Sequence, residues 1–148
     1  MTGLKQVNQQ LWLDAVPLCD IAQQYLTPCY AYSQNVIEKN FGYYQNVLNN
    51  QPHLICFAVK ANSNIAILQT LARLGAGFDI VSVGELERVL IAGGNAKKVV
   101  FSGVAKTAGE MRRALEVGIH CFNIESEAEL CLLDQTAGDM GLVAPVSI

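Results

Sequence analysis

Lys60 is the residue of this sequence whose setting most clearly predicts chemistry. It follows an apolar run, residues 54–59, that is too short for a helix and indicates a buried strand. An amine at the end of a buried strand is unfavourable unless it is paired, neutralised or used. A lysine in such a place can form a Schiff base with a carbonyl compound. The alternative is a strand-end lysine whose amine reaches solvent along an apolar stem.

Asp79 is the second residue that its position makes a candidate. It lies inside the strand predicted over residues 78–81, and a buried carboxylate needs a partner. Lys60 or a group on a bound cofactor could supply that partner.

Other polar residues lie at or just after the ends of the predicted strands. They are Asn62, Ser82, Glu85, Ser102, Lys106, Asn123, Glu125 and Ser126. The carboxyl ends of parallel strands meet at one edge of a sheet, and in a (β/α)₈ barrel that edge carries the chemistry. The alternatives are helix N-caps for the three serines and carboxylates near helix N-termini for Glu85 and Glu125.

Strands and helices alternate from residue 53 onward, which is the pattern that would position these side chains. The predicted strands cover 54–59, 78–81, 99–102, 121–124 and 145–148, and the predicted helices cover 64–74, 84–92, 108–117 and 127–136, the last extending as far as 140. Glycines at 75, 93, 118 and 141 are placed to end these helices. Thr107 with Glu110, and Ser126 with Glu129, have the spacing of capping boxes.

Such alternation predicts an α/β fold with a parallel sheet and right-handed crossovers. The sheet could be open and doubly wound, or part of a (β/α)₈ TIM barrel. No Gly-x-Gly-x-x-Gly follows a predicted strand and no Walker-type loop occurs, which disfavours the nucleotide-binding sheet. A whole barrel needs ~250 residues. The 148 residues are therefore expected to hold about barrel strands 1–5 of a longer protein.

The N-terminal region is predicted to differ from the rest. Residues 1–16 are expected to be a loosely held lead-in, and residues 17–148 to be the N-terminal part of the barrel domain. Within the latter, a short helix over 17–25 and a strand over 29–32 precede a helix that Ser33 caps and that runs to about residue 49.

Composition excludes several classes of function. Hydrophobic residues make up 51% of the chain and charged residues 16%, with a net charge of −3, so a globular domain without a nucleic-acid partner is expected. Five cysteines without Cys-x-x-Cys spacing favour free thiols in a reducing compartment, and the two histidines lack metal spacing. No signal peptide or membrane-spanning run is recognised, so the protein is expected in the cytoplasm with no membrane contact.

Four segments resemble a known family. They are 27–32 (TPCYAY), 57–62 (FAVKAN), 77–86 (GFDIVSVGEL) and 100–104 (VFSGV). In order and spacing they are similar to the N-terminal part of the group III pyridoxal-phosphate-dependent decarboxylases, which share the alanine-racemase fold. The similarity is strongest to the branch that acts on diaminopimelate.

The resemblance implies a set of roles. Lys60 matches the lysine that holds pyridoxal 5′-phosphate as a Schiff base. Asp79 matches an acidic residue near the cofactor, and Glu85 a supporting carboxylate on the next helix. Ala58, Asn62 and Ser102 are implied to contribute to cofactor binding.

The resemblance also implies the activity and its setting. The reaction is decarboxylation of meso-2,6-diaminopimelate to L-lysine, in lysine biosynthesis, by an enzyme that is a homodimer when full length. The strand over 29–32 is implied to cross to a second, β-rich domain.

Two other interpretations remain open at this point. One is a non-catalytic pyridoxal-phosphate-binding or inactive barrel fragment. The other is a decarboxylase of the ornithine or arginine type, or a racemase. An isolated chain of 148 residues is expected to be inactive, and either to self-associate or to need the missing half of the barrel.

Overall fold

The computed structural model describes residues 3–148. They divide into two compact units, one ending at Leu48 and one running from Asn49 to Ile148. The sequence suggested a division after residue 16 instead. The assignment of residues 17–148 to one barrel domain stays a prediction.

The first unit begins with a three-stranded antiparallel sheet, which corrects the expectation of a loosely held lead-in. Strand β1 (Leu4–Val7) pairs with β2 (Gln10–Leu13), and β2 pairs with β3 (Val16–Pro17). Asn8 and Gln9 connect β1 to β2 with φ values of 48° and 65°. Positive φ at both central residues is the geometry of the tight hairpin turn that suits the twist of paired strands. Residues 1–2 of the predicted lead-in lie outside the described residues.

Two helices complete this unit. Helix α1 covers Leu18–Tyr25 and helix α2 covers Gln34–Leu48. Ser33 caps α2 as predicted, because its Oγ accepts a hydrogen bond of 3.0 Å from the Val36 amide. The strand predicted over 29–32 is not formed within the described chain, where these residues pair with no other strand.

The second unit alternates strands and helices as predicted. Its elements are β4 (Cys56–Ala58), α3 (Ile65–Arg73), β5 (Gly77–Ile80), α4 (Val83–Ile91), β6 (Val99–Phe101), α5 (Ala108–Val117), β7 (Cys121–Asn123), α6 (Glu127–Asp139) and β8 (Val146–Ser147). One-turn 3₁₀ helices precede α3 and β6, at Val59–Ala61 and Ala96–Lys98. The strands form one parallel sheet in the order β4-β5-β6-β7-β8.

This strand order decides between the two closures that the sequence left open. Each strand lies beside the next in the chain, without the reversal of order that a doubly wound sheet contains. The described residues therefore form part of a (β/α)₈ barrel, as predicted.

The two faces of this sheet differ in burial. Phe78, Ile80, Phe101 and Phe122 point to one face and are fully buried, in the layer that also contains fully buried apolar residues of α3–α6. The opposite face carries Cys56, Ala58, Asp79, Val100, Cys121 and Asn123, all of intermediate exposure. Side chains alternate along a strand, and strand partners share a face, so this second face, here called the inner face, is a continuous row across β4–β7.

Helix ends follow the predicted caps with one exception. Thr107 and Glu110 form a complete capping box at α5, and the glycines at 75, 93, 118 and 141 all have positive φ. At α6, Ser126 accepts from the Glu129 amide, but the Glu129 carboxylate does not return to Ser126. It binds Lys106 instead, so only half of the second predicted box exists.

Within residues 3–148, no helix is both long and apolar enough to cross a membrane.

Candidate active site

The carboxyl ends of β4–β7 place the predicted site residues along one edge of the sheet. Strand β4 ends at Ala58, and Lys60 is the middle residue of the 3₁₀ turn that follows. Lys60 is exposed, whereas the preceding Val59 is fully buried. The strand ends one residue earlier than predicted, and the turn that follows it directs Lys60 outward, as in the alternative of a lysine that reaches solvent.

The Lys60 amine makes no hydrogen bond or ion pair within residues 3–148. Ala58, two residues before it, pairs with Asp79 in the register of β4 and β5. Lys60 thus follows β4, and Asp79 lies near the carboxyl end of the neighbouring strand β5. The structure shows no direct contact between the two side chains.

Asp79 takes its hydrogen bond from a neighbouring hydroxyl. Ser102 Oγ donates to Asp79 Oδ1 over 2.5 Å, and Asn123 Nδ2 donates to Ser102 Oγ over 3.0 Å. The three side chains come from β5, the residue after β6, and the end of β7. They form a row on the inner face that leads to the carboxylate nearest the Lys60 turn, and we refer to them as the polar row.

Two thiols adjoin the polar row. Burial raises the pKa of the Cys56 thiol, and the negative charge of Asp79 raises it further. Burial also raises the pKa of Cys121. Both groups therefore stay protonated at neutral pH and act as small apolar side chains beside the carboxylate.

The predicted alternatives for the serines hold at two of three positions. Ser82 caps α4 and Ser126 caps α6, since their Oγ atoms accept from the amides of Glu85 and Glu129. Ser102 caps no helix and instead serves Asp79. Its position one residue after a strand, six residues before α5 begins, is the sequence signal that separates it from the other two.

Carboxylates hold the loops at this edge. Glu85 Oε2 accepts from the Val81 amide at 2.8 Å, and Glu125 Oε1 accepts from the Gly103 amide at 3.2 Å. Glu85 thus fixes the loop after β5 from the first turn of α4, which is compatible with its predicted supporting role.

Glu110 links two neighbouring loops. Its Oε1 accepts from the Val83 amide at 3.1 Å, while Oε2 accepts from Thr107. Burial acts to raise the pKa of Glu110, but the hydrogen bonds from Val83 and Thr107 outweigh it and leave the pKa below its usual value of 4.5.

Ala58 and Asn62 were also predicted to bind cofactor. Ala58 lies on the inner face beside Asp79, where its methyl side chain leaves the carboxylate accessible. Asn62 Oδ1 accepts from the Asn64 amide at 3.0 Å, so this side chain shapes the turn that carries Lys60. Their roles toward a cofactor stay predictions.

Sequence reasoning placed Lys106 at the sheet edge but missed what it does. Its side chain is fully buried and forms an ion pair of 2.6 Å with Glu129, whose side chain is 6% exposed. Lys106 lies in an otherwise uncharged loop over residues 103–106, and the partner is 23 residues away. The uncharged loop was the available signal for burial, whereas the long-range partner carries no local signal.

These groups fit pyridoxal phosphate in their donor chemistry. An amine without an internal partner can condense with an aldehyde, and the neighbouring inner face offers a carboxylate, a hydroxyl and an amide in a hydrogen-bonded row. Lys60 would hold the aldehyde end, and the polar row would line the space beside it.

Other types of site are not found at this edge. Within the described residues, no cluster of three or more His, Cys, Asp and Glu side chains could hold a metal ion. A groove of about 460 Å³ lies in the first unit, lined in part by Leu13, Ile21, Tyr25, Tyr30 and Tyr32. None of the predicted site residues lines that groove, so the sheet edge remains the candidate.

Comparisons with known proteins show the family to which the chain belongs. The family model "Pyridoxal-dependent decarboxylase, pyridoxal binding domain" matches residues 34–148. The diaminopimelate decarboxylase of Vibrio cholerae is 58% identical over 143 residues, which are 97% of this chain and 34% of that protein. That of Haemophilus influenzae is 53% identical over 148 residues, which are 100% of this chain and 36% of that protein.

A solved structure gives the same result at the level of the fold. The diaminopimelate decarboxylase of M. jannaschii, in complex with L-lysine, superposes with a TM-score of 0.94 at 32% identity, over 99% of this chain and 36% of that one. The chain spans about a third of the length of the curated relatives that it matches.

Proposed function

Because this chain belongs to the pyridoxal-dependent decarboxylases, through the pyridoxal-binding domain of that family, we propose that the whole protein is a diaminopimelate decarboxylase. The observation that carries the proposal is 53–58% identity to two such enzymes over 97–100% of the chain. The family match confirms the predicted resemblance and with it the pyridoxal cofactor.

Lys60 is the residue that holds the cofactor in this proposal. Its amine is exposed at the sheet edge and has no partner within residues 3–148. When bound, pyridoxal phosphate acts as an electron sink that stabilises the negative charge left on Cα by loss of CO₂. The lysine amine would then be a group of this chain able to give up or take a proton at that position.

Asp79 and Glu85 support the site and do not transfer protons. Asp79 accepts from Ser102 and so is fixed on the inner face. Glu85 acts at one remove, since it binds the Val81 amide and holds the loop after β5. Both carboxylates are engaged by donors of the protein itself, which leaves orientation of the cofactor as their contribution.

The first test concerns covalent attachment. In the whole protein, borohydride reduction followed by peptide mapping is expected to place the reduced cofactor on the peptide that contains Lys60. Lys60→Ala should abolish the label. The exposed Lys97, at the opposite end of β6, offers a matched control, and Lys97→Ala should retain it.

Three outcomes would count against the proposal. Reduced cofactor on a peptide without residue 60 would remove Lys60 from its role. Label on Lys60 without release of CO₂ from meso-2,6-diaminopimelate would favour a non-catalytic binding protein. Release of CO₂ from ornithine or arginine in its place would favour the other branches of the family.

We also propose that the whole protein acts as a cytoplasmic homodimer. The family resemblance supports the dimer, and the five free cysteines are in keeping with a reducing compartment. Sedimentation of the whole protein with and without pyridoxal phosphate tests the oligomeric state. A monomer under both conditions would contradict it.

A further inference from the structure

The buried amine of Lys106 uses all its hydrogen-bond donors within the protein. Its Nζ donates to the carbonyl oxygens of Gly103 and Asn123, each at 2.8 Å, and to Glu129 Oε1 at 2.6 Å. An ammonium group has three hydrogens, so its donor capacity is used in full. The ring of Phe101 lies 5.8 Å from Nζ and adds a favourable contact with the cation.

The two carbonyls that Lys106 binds belong to the surroundings of the polar row. Gly103 directly follows Ser102, and Asn123 is the residue whose side chain donates to Ser102 Oγ. One buried ammonium therefore holds the backbone on both sides of the Asn123–Ser102 hydrogen bond. Through Glu129, the third residue of α6, it also ties both strand ends to that helix.

We propose that Lys106 is a positioning residue of the cofactor site: it fixes the ends of β6 and β7 relative to each other and so keeps Asn123 within hydrogen-bonding distance of Ser102, whose hydroxyl donates to Asp79. This inference rests on the proposed function. Lys106 itself does not meet the cofactor, since its side chain is fully buried and all its donors are occupied.

Stability alone is a weaker account of the pair. Apolar residues of similar volume often replace a buried ion pair without loss of stability. Glu129 Oε2 is buried and has no hydrogen-bond partner within the described residues, so the pair is not arranged for maximal stabilisation. Two of the three acceptors, by contrast, are the carbonyls of Gly103 and Asn123, which belong to or adjoin the polar row.

The test compares three variants of the whole protein with the wild type. Lys106→Met removes the three hydrogen bonds. Lys106→Met combined with Glu129→Leu replaces the pair with apolar side chains, which restores folding if the single variant is impaired. Lys97→Met makes the same substitution at an exposed position of the 3₁₀ turn before β6.

The measurements are the dissociation constant for pyridoxal phosphate, the pH midpoint of the absorbance band of the bound cofactor, and the thermal midpoint of the protein without cofactor. Lys106→Met and the double variant are expected to raise the dissociation constant about tenfold, as for residues that orient the ligands of a metal, and to move the pH midpoint. Lys97→Met should change neither. A purely stabilising role would lower only the thermal midpoint.

The outcomes separate this inference from the proposed function. Absence of reduced cofactor on Lys60 in the wild type would refute the proposed function whatever Lys106 does. With that label present, a folded single or double variant that keeps the wild-type dissociation constant and pH midpoint would overturn the positioning role. Failure of both to fold would make the pair a requirement of folding, which also overturns it.

Discussion

At the scale of single residues, the site depends on hydrogen bonds between neighbouring strands. The sequence left Lys60 open as the partner of Asp79, but the hydrogen bond to Asp79 comes from the hydroxyl of Ser102, which in turn accepts from Asn123. A carboxylate bound through one oxygen keeps its second oxygen for a further donor. The polar row thus presents a fixed acceptor to whatever lies beside Lys60.

Asp79→Ala should weaken binding of pyridoxal phosphate by the whole protein about tenfold or more, since a hydrogen bond to a charged group contributes about 1.5–3 kcal/mol. Ser102→Ala should act in the same direction and less strongly. The exposed Asp139, the last residue of α6, provides the control Asp139→Ala, which should bind normally. The measurement is absorbance titration with cofactor. Unchanged affinity in Asp79→Ala and Glu85→Ala would assign both carboxylates to loop structure alone.

How far single residues could be predicted depends on the range of their contacts. Ser33, Ser82 and Thr107 were recognisable as caps because a cap bonds an amide two or three residues away. The bounds of the strand before Lys60 were misplaced, because the length of β4 is set by pairing with β5 and not by its own apolar run. The partner of Lys106 could not be predicted from local sequence either, because Glu129 lies 23 residues away, on α6.

At the scale of elements, the pairing of β4 with β5 requires close approach at Gly77. A Cβ atom there would lie 2.6 Å from the Lys98 carbonyl oxygen and 2.7 Å from Cys56 Sγ. The first contact is to backbone, which cannot rotate away. The strand that leads to Asp79 therefore starts at a position where a side chain would press β5 away from both neighbours.

Gly77→Ala should destabilise the protein by about 1–3 kcal/mol, as overpacking of an ordered interior does. Gly109→Ala is the matched control, because a Cβ there meets nothing within 4 Å. As Gly109 lies in the first turn of α5, that change should be neutral or stabilising by up to about 1 kcal/mol. Urea denaturation of both variants measures the difference. Equal urea midpoints for the two variants would show that the sheet shifts to accommodate a side chain at residue 77.

At the scale of the whole molecule, the described sheet has two unpaired edges, β4 and β8. Apolar side chains accompany the second edge: Val146 is 42% exposed and Ile148 fully exposed. Unpaired strand edges with apolar side chains attract further strands. Because the strands follow one another in chain order, β4 and β8 lie at the two ends of the sheet. Only closure of the barrel would pair both of them.

The isolated 148-residue chain is therefore expected to self-associate. Its apparent mass in size-exclusion chromatography with light scattering should rise with concentration. Val146→Lys, which places a charge on β8, should lower that mass, because lysine on an edge opposes strand addition. A monomer at all concentrations would show that both edges are protected.

The inner face has one further consequence, for the rates of thiol alkylation. Cys19, Cys29 and Cys131 are exposed, whereas Cys56 and Cys121 lie on the inner face with raised pKa values. Only the thiolate reacts with an alkylating reagent, so the five native cysteines fall into a fast and a slow class. The slowly reacting thiols, Cys56 and Cys121, lie on the same face as Asp79. The rate at which they are alkylated therefore indicates whether a bound molecule covers the polar row.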